Sequence, residues 1–331
     1  MKSYSIKGLV LVLAVSLFTV TETQAQSYED VINTFNEATE LARNGRNQQA
    51  ITSFQRVIEI SNRVSDDRVA DIRTRAQNQI PQLYFAIARD LYNGQKLPEA
   101  AEAFNTAAEQ AQRFGNQQIA QRSRAAIPQI HLAHGNNLLR DGNQQGALQA
   151  YDRALAARPA YAAAFYQKGL VYRQMENMDE ALSYFDRAIQ VGESSNEANI
   201  VENATAAARN FLLLTGVTRM ENRQYRQSTE LLRQALQYDD TNADVHYRLA
   251  EVFNKQALWN DAITHANRAL ELERGGRADR AKIYFELGYA QKNSGNFNSA
   301  CESFAQAAFG NFRAAAEHAM EHELKCGQPN R

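Results

Sequence analysis

Candidate metal-binding residues lie near the C-terminus, where the sequence from His318 to His322 reads HAMEH. If this stretch is helical, His318 and His322 lie one turn apart on the same face, and Cys326 follows one turn later. Imidazole nitrogens and thiolates are ligands that zinc accepts in proteins. The spacing therefore makes His318, His322 and Cys326 candidate metal ligands.

Other observations argue against catalysis at this place. The order H-x-x-E-H is that of the inverted zinc peptidases, but only nine residues follow His322, which leaves little chain for a further ligand or a substrate cleft. The sequence also lacks the glycine-rich phosphate loops and the GxSxG nucleophile motif. We therefore predict a protein that is not an enzyme and needs no cofactor. A metal-dependent activity at the C-terminal helix is kept as a weaker alternative.

The N-terminus carries the pattern of an export signal. Lys2 and Lys7 precede an apolar run from Gly8 to Phe18, and small residues stand before a cleavage point after Ala25. The run is too short to span a bilayer, which needs roughly 20 residues. We predict a signal peptide over residues 1–25, an uncleaved anchor being the alternative, and hence an exported protein of the periplasm or cell envelope.

The only two cysteines, Cys301 and Cys326, both lie near the C-terminus. In an oxidising compartment such a pair is naturally interpreted as a disulfide. If the chain turns near Asn311, the two residues lie at comparable distances from the turn along two packed helices. The spacing permits a bond between Cys301 and Cys326, and two separate small packing residues are the alternative.

Charge and composition exclude several classes of protein. The net charge of −1 gives no basic surface for nucleic acid. The sequence has no second long apolar run, so we predict no membrane insertion after signal removal. With 5 Pro and 16 Gly in 331 residues, the chain is too poor in turn formers to be rich in loops. Helix-forming residues dominate and alternating strand patterns are missing, so the composition predicts an all-α fold.

A repeated pattern organises the chain, and it is clearest over residues 162–195. Small residues recur at places 8, 20 and 27 of this 34-residue unit, and large ones at places 4, 11 and 24; they are Gly169, Ala181, Ala188, Phe165, Tyr172 and Phe185. In this pattern the chain resembles the tetratricopeptide repeat family. The same template fits residues 31–64, 81–114, 128–161, 209–242, 243–276 and 281–314, followed by a polar capping helix over 314–325.

The resemblance implies an α-α superhelix, a TPR-like solenoid of about seven helix-turn-helix repeats over residues 26–331. Gly45, Gly142 and Gly295 fall where the first helix of a repeat must end. Unit starts differ by 47 to 50 residues after units one, two and four, and we predict lengthened helices that project from the solenoid. Ile80-Pro81 and Ile127-Pro128 are interpreted as helix starts.

In this family, places 2, 5, 9, 12 and 13 of each first helix line the inner groove. We therefore predict a partner-binding groove formed by Phe85, Arg89, Tyr92, Asn136, Tyr166, Arg173, Tyr247, Glu251, Phe285, Tyr289 and Asn293. Aromatic residues beside arginine favour protein interfaces, although a large residue at place 5 is equally explained by packing between helices. Three further histidines, His131, His134 and His246, are predicted to be partly buried and hydrogen-bonded.

The resemblance implies a non-catalytic scaffold or adaptor that binds a protein or peptide segment in its concave groove. The family's carboxylate-clamp pattern is not supported, because Asn136 matches it but Leu132 and Gln167 do not. An accessory subunit that positions a cell-wall or carbohydrate-processing enzyme is the alternative. The oligomeric state is left open.

Overall fold

The structure is a computed structural model that describes residues 27–327, so the predicted signal peptide lies outside the described residues. This range contains fifteen α-helices and no strand. In chain order they are α1 (Tyr28–Arg43), α2 (Asn47–Ser61), α3 (Val69–Asn93), α4 (Leu97–Arg113), α5 (Gln117–Arg140), α6 (Gln144–Ala157), α7 (Ala162–Gln174), α8 (Met178–Ser194), α9 (Ala198–Glu221), α10 (Tyr225–Tyr238), α11 (Ala243–Lys255), α12 (Trp259–Leu272), α13 (Arg277–Asn293), α14 (Phe297–Ala307) and α15 (Arg313–His318).

The first fourteen helices form seven helix-turn-helix pairs, and each predicted 34-residue unit contains one such turn. Three residues separate the helices of every pair. The predicted all-α fold with about seven helix pairs and a C-terminal helix is confirmed. Contacts divide the chain into two compact units. The first contains the described residues up to Asp90 with Ala103–Ser123, and the second contains Leu91–Glu102 and the described residues from Arg124 onward.

The second of the three residues in each of these turns has the left-handed backbone conformation, with φ between 56° and 85°. The seven residues, in chain order, are Gly45, Gln95, Gly142, Glu176, Arg223, Ala257 and Gly295. The predicted role of the three glycines as helix ends is confirmed, because glycine adopts this conformation without steric cost. Four other turns reach the same geometry with a side chain present.

Close approach of paired helices depends on small residues in the first helix. A Cβ atom on Gly135 would lie 2.3 Å from Tyr151 Cε1, and one on Gly169 would lie 2.6 Å from the Phe185 ring. Tyr151 and Phe185 are both fully buried. The large ring of the second helix therefore occupies the volume that the missing side chain leaves free, as the sequence pattern predicts.

The long helices α3, α5 and α9 contain the extra residues that separate some repeats. The prediction that these residues form lengthened helices is correct, but the prediction that they project is wrong. In α3, Val69, Ile72 and Ala76 are buried in one cluster with Phe54 and Val57 of α2. A packed helix removes these apolar side chains from water, whereas a projecting helix would leave them exposed. The packed arrangement is therefore the more stable one.

The corresponding residues of α5 and α9 are also buried. Ile119 and Ala120 of α5 pack in a cluster with Ala111 of α4. In α9, Ala204, Ala207 and Ala208 belong to the cluster around Phe185 of α8; these lengthened helices are therefore part of the core.

Pro81 and Pro128 lie inside α3 and α5, so the prediction that they start helices is wrong. Both are buried. Proline disfavours a helix interior because it cannot donate to the carbonyl four residues earlier. Here the apolar residues before each proline continue the helical pattern, and their burial offsets the lost hydrogen bond.

The C-terminal cap is more irregular than the predicted single helix over 314–325. A 3₁₀ turn at Gly310–Phe312 leads into α15, which continues as a π-helix over Ala319–Leu324. Ala316 and Ala319 are buried with Phe304 of α14. A disulfide joins Cys301 of α14 to Cys326, whose Cα atoms are 5.8 Å apart.

Breaking the Cys301–Cys326 bond should loosen the C-terminal cap without unfolding the rest of the array. The bond closes a segment with a sequence separation of 25 residues. We expect reduction, or Cys301→Ser with Cys326→Ser, to lower the opening free energy of the cap by about 2 kcal/mol. Hydrogen exchange checks this: amides of Ala316 and Ala319 should exchange faster, while those of α9 and α10 should not. Unchanged protection at Ala316 would contradict the expectation.

Candidate protein-binding surfaces

Burial differs widely among the eleven predicted groove residues. Arg89, Tyr92, Asn136, Tyr289 and Asn293 are exposed, and Phe85, Tyr166, Arg173, Glu251 and Phe285 are partly buried. Tyr247 is only 7% exposed. Burial raises the pKa of the Tyr247 phenol, and the carboxylate of Glu251 acts in the same direction.

Aromatic residues at place 5 pack against the large residue at place 24 of the same repeat. Ring centroids are 5.4 Å apart for Phe35 and Phe54, 5.3 Å for Phe85 and Phe104, and 5.6 Å for Phe285 and Phe304. All three contacts are edge-to-face, the geometry that aromatic pairs favour. These rings are therefore part of the packing between helices as well as of the surface.

Separate polar contacts in the second unit involve two other predicted residues, Glu251 and Asn136. Glu251 accepts a hydrogen bond of 3.0 Å from Arg248, and Asn254 donates one of 2.8 Å to the carboxylate of Glu286. Burial raises the pKa of the Glu286 carboxyl. Asn136, although exposed, accepts from the hydroxyl of Tyr151. Glu251 and Asn136 thus have structural partners within the chain.

A pocket with an apolar lining lies in the second unit and has a volume of about 860 Å³. It lies between the α7–α8 turn, α9 and the start of α10. Its apolar lining includes Met178, Phe211, Leu214 and Leu231. Leu214 is 67% exposed, although large apolar side chains are normally buried.

Charged side chains of both signs surround this pocket. Arg173 and Glu176 lie on the side of the α7–α8 turn, and Arg219 and Glu230 lie on α9 and α10. Arg219 donates to Gln224 at 3.0 Å, which fixes its position beside the opening. An apolar floor with a charged rim is the arrangement of protein-binding sites. Arg173 is the one predicted groove residue in this lining.

Sequence reasoning did not single out Leu214. A signal was nevertheless present, because α9 contains four consecutive apolar residues from Phe211 to Leu214. An amphipathic helix cannot turn four successive residues toward one side. Leu212 is fully buried, and Leu214 points away from that core.

The histidines predicted to be buried have different environments. Burial lowers the pKa of His131, His134 and His246. His246 is hydrogen-bonded as predicted, since its Nε2 lies 3.0 Å from the Asp240 carbonyl and its Nδ1 lies 2.9 Å from His265 Nδ1. The Nδ1 of His134 is buried and has no hydrogen-bond partner among residues 27–327, so the predicted hydrogen bond is not made at that atom.

The candidate metal ligands are not brought together as a site. Among residues 27–327, no group of three or more histidine, cysteine, aspartate or glutamate side chains is placed to hold a metal ion. Cys326 is bonded to Cys301 and has no free thiolate. His318 and His322 are exposed, with ring centroids 5.0 Å apart, and His318 lies 3.5 Å from Glu323.

Three models of the tetratricopeptide repeat match the sequence, over residues 132–198, 219–283 and 281–308. No protein of curated function matches it. No helix among the described residues is both long and apolar enough to cross a lipid bilayer.

Several solved structures are similar to the chain at low identity. YrrB, described as a TPR protein with an unusual peptide-binding site, is 20% identical with a TM-score of 0.36, covering 67% of this chain and 99% of that one. MamA is 17% identical with a TM-score of 0.35, and the match covers 62% of this chain and 97% of MamA. A tetratricopeptide repeat protein from Parabacteroides merdae is 14% identical with a TM-score of 0.28, covering 88% and 98%.

Proposed function

Because this chain belongs to the tetratricopeptide repeat family and is a protein–protein interaction scaffold, we propose that it binds an apolar segment of a partner protein in the pocket around Leu214. The observation that carries this proposal is the exposure of Leu214 above an apolar floor formed by Phe211 and Leu231. Burying a leucine side chain contributes about 2 kcal/mol, so a partner that covers it gains affinity.

The shape and charge of the pocket support a peptide ligand. Its volume of about 860 Å³ lies within the range of well-formed binding sites. Arg173 and Glu230 on the rim can pair with charges of either sign beside the apolar anchor of the partner. Such rim charges add selectivity, whereas the buried anchor supplies most of the affinity.

We further propose that the protein acts after export, in the periplasm or cell envelope, and without catalysis of its own. Two features support this setting: the signal-like sequence over residues 1–25, and the Cys301–Cys326 disulfide, since disulfides persist in oxidising compartments. N-terminal sequencing of the protein from an envelope fraction tests the location. A mature N-terminus at Gln26 is expected, and a cytoplasmic protein that keeps Met1 would contradict the proposal.

Replacing Leu214 by Glu should abolish most of the partner binding. Peptides selected from a displayed library on the full chain, and proteins captured from an envelope extract, serve as ligands. We expect Leu214→Glu to raise their dissociation constants at least about tenfold, because a carboxylate would have to be buried against the apolar anchor of the partner. Fluorescence anisotropy measures the change.

Leu258→Glu is the matched control, because Leu258 is also exposed, at 44%, but does not line the pocket. This variant should bind the selected peptides as the wild type does. Circular dichroism should show the same helical signal for both variants. If Leu214→Glu binds as tightly as the wild type, the pocket is not the binding site.

A further inference from the structure

A second pocket, in the first compact unit, has a different chemistry. It has a volume of about 560 Å³ and lies between α1 and the first half of α3. Its apolar lining is Phe35, Ala42 and Phe54, and its polar lining is Thr39, Arg43, Arg75, Asn78 and Gln79. The lining thus contains two guanidinium groups and no carboxylate.

Neither arginine is neutralised by a strong ion pair. Arg43 forms no ion pair within residues 27–327. Arg75 lies 3.6 Å from Asp71 on the same helix, and both side chains are more than 60% exposed. An exposed pair of this kind contributes little free energy, so a bound anion can displace it. The pocket therefore carries positive charge that is available to a ligand.

The position of Arg75 is set by an aromatic ring. Its guanidinium carbon lies 5.3 Å from the centroid of Phe35, whose ring is fixed in turn by edge-to-face contact with Phe54. A guanidinium stacked on a ring still presents its N–H edge. That edge can donate two parallel hydrogen bonds to a carboxylate.

The second repeat provides an internal comparison. The sequence RAQNQIP of α3, which starts at Arg75, is matched by RSRAAIP of α5, which starts at Arg122. Arg122 lies 4.8 Å from the ring of Phe85, the counterpart of Phe35. The stacked arginine is therefore a packing feature common to both repeats.

The other polar residues of the pocket are not repeated. Alanines, Ala125 and Ala126, stand in α5 where α3 has Asn78 and Gln79, and Asn93 stands where α1 has Arg43. Packing of the lengthened helix does not require these three polar side chains, since the second repeat makes the same stacking contact without them. Their presence beside Arg75 needs another explanation, and ligand binding supplies it.

We propose that this pocket binds an acidic segment of a partner protein, with a carboxylate held between Arg43 and Arg75. The amides of Asn78 and Gln79 each offer both a donor and an acceptor, which matches the N–H and C=O of an adjacent peptide group. Phe35 and Ala42 provide a surface for an apolar side chain next to the acidic residue. An isolated phosphate group would use the donors alone, so an acidic peptide matches more of the lining.

The experiment uses the full chain and a short fluorescent peptide in which Glu and Asp flank a Phe, together with a counterpart carrying Gln and Asn. Anisotropy at low salt should show binding of the acidic peptide, at least about tenfold tighter than that of the neutral one. Arg43→Gln and Arg75→Gln should each weaken binding of the acidic peptide about tenfold. Since Arg43 is exposed, Arg43→Gln should leave the melting temperature unchanged, which separates lost binding from lost folding.

Arg122→Gln is the matched control, because it removes the equivalent stacked arginine from the second repeat and should not alter binding. Leu214→Glu should also bind the acidic peptide normally, so this proposal and the proposed function fail independently. Three results would overturn the acidic-peptide proposal: no binding of the acidic peptide, equal binding of the neutral one, or undiminished binding by Arg43→Gln. Equal competition by inorganic phosphate, or tighter binding to vesicles containing anionic lipid, would overturn it as well.

Discussion

Replacing Gly135 by Val is expected to lower the free energy of unfolding by about 3 kcal/mol. Even the Cβ atom of a new side chain would lie 2.3 Å from Tyr151 Cε1. The ring cannot easily move aside, because Tyr151 is fully buried and its hydroxyl donates to Asn136 at 2.8 Å. Burial also raises the pKa of Tyr151 to about 12, so the ring stays neutral at physiological pH.

Urea denaturation followed by circular dichroism measures this loss. Ala125→Val is the matched control, since it places the same side chain on an exposed position of the same helix, α5. This control should cost only about 0.5 kcal/mol, the difference in helix propensity between Ala and Val. If Gly135→Val and Ala125→Val are equally stable, α5 and α6 do not pack as closely as the structure indicates.

Acidification is expected to destabilise the pair α11–α12 through two histidines, the buried His246 and the half-buried His265. The Nε2 of His246 must carry its proton, because it donates to the Asp240 carbonyl. Its Nδ1 then accepts from the Nδ1–H of His265 at 2.9 Å, so the His246 ring is neutral. If both rings took up a second proton, two N–H groups would face each other and the bond would be lost.

The direction of the pH effect follows from the pKa shifts. Burial chiefly, together with the nearby His246 and Arg233, lowers the pKa of His265 from 6.5 to about 4, with Asp261 acting in the opposite direction. Burial also lowers the pKa of His246, and Arg268 acts with it, against Asp239 and Asp240. The unfolded chain therefore binds more protons than the folded one between these values. The stability that these two neutral rings contribute is present above their unfolded pKa of 6.5 and is lost as the pH falls toward 4.

For His265 alone, a shift from 6.5 to about 4 corresponds to roughly 3 kcal/mol. Urea midpoints measured across this pH range should fall steeply for the wild type. His265→Phe should fall less, because Phe can stack on Phe253 as His265 does, at 5.5 Å, without taking up a proton. His131 and His134 leave some pH dependence in every variant, and His318→Gln is the exposed control. Equal slopes for wild type and His265→Phe would contradict this account.

The helix pairs could be predicted from the sequence because their packing rests on residue size at fixed spacing. Gly169 and Phe185 illustrate this, since the small residue and the large ring meet as the repeat pattern requires. The disposition of the lengthened helices could not be predicted in the same way. The apolar spacing of Val69, Ile72 and Ala76 indicates a buried face, but it does not say which neighbouring helix covers it.

The candidate binding surface was predicted only in part. The groove positions of the family predicted both Arg173 and Tyr247. Tyr247 is covered in part by Lys282 of α13, a residue far from it in sequence. The pocket around Leu214 is formed by α9, α10 and the α7–α8 turn together, and no local pattern combines those three elements. Sequence spacing fixes which face of a helix is apolar, whereas exposure depends on which neighbours leave that face uncovered.

The seven left-handed turns also bear on how this chain can change during evolution. Glycine occupies three of them, and the other four hold Gln95, Glu176, Arg223 and Ala257. A side chain in this conformation costs roughly 1 kcal/mol, so each of these four repeats is held below the stability that a glycine would give it. A single substitution at one turn can therefore compensate for a destabilising mutation on a binding face elsewhere in the array. Substitutions to glycine at these turns would thus allow the binding surfaces to change in sequence while the helix pairs stay folded.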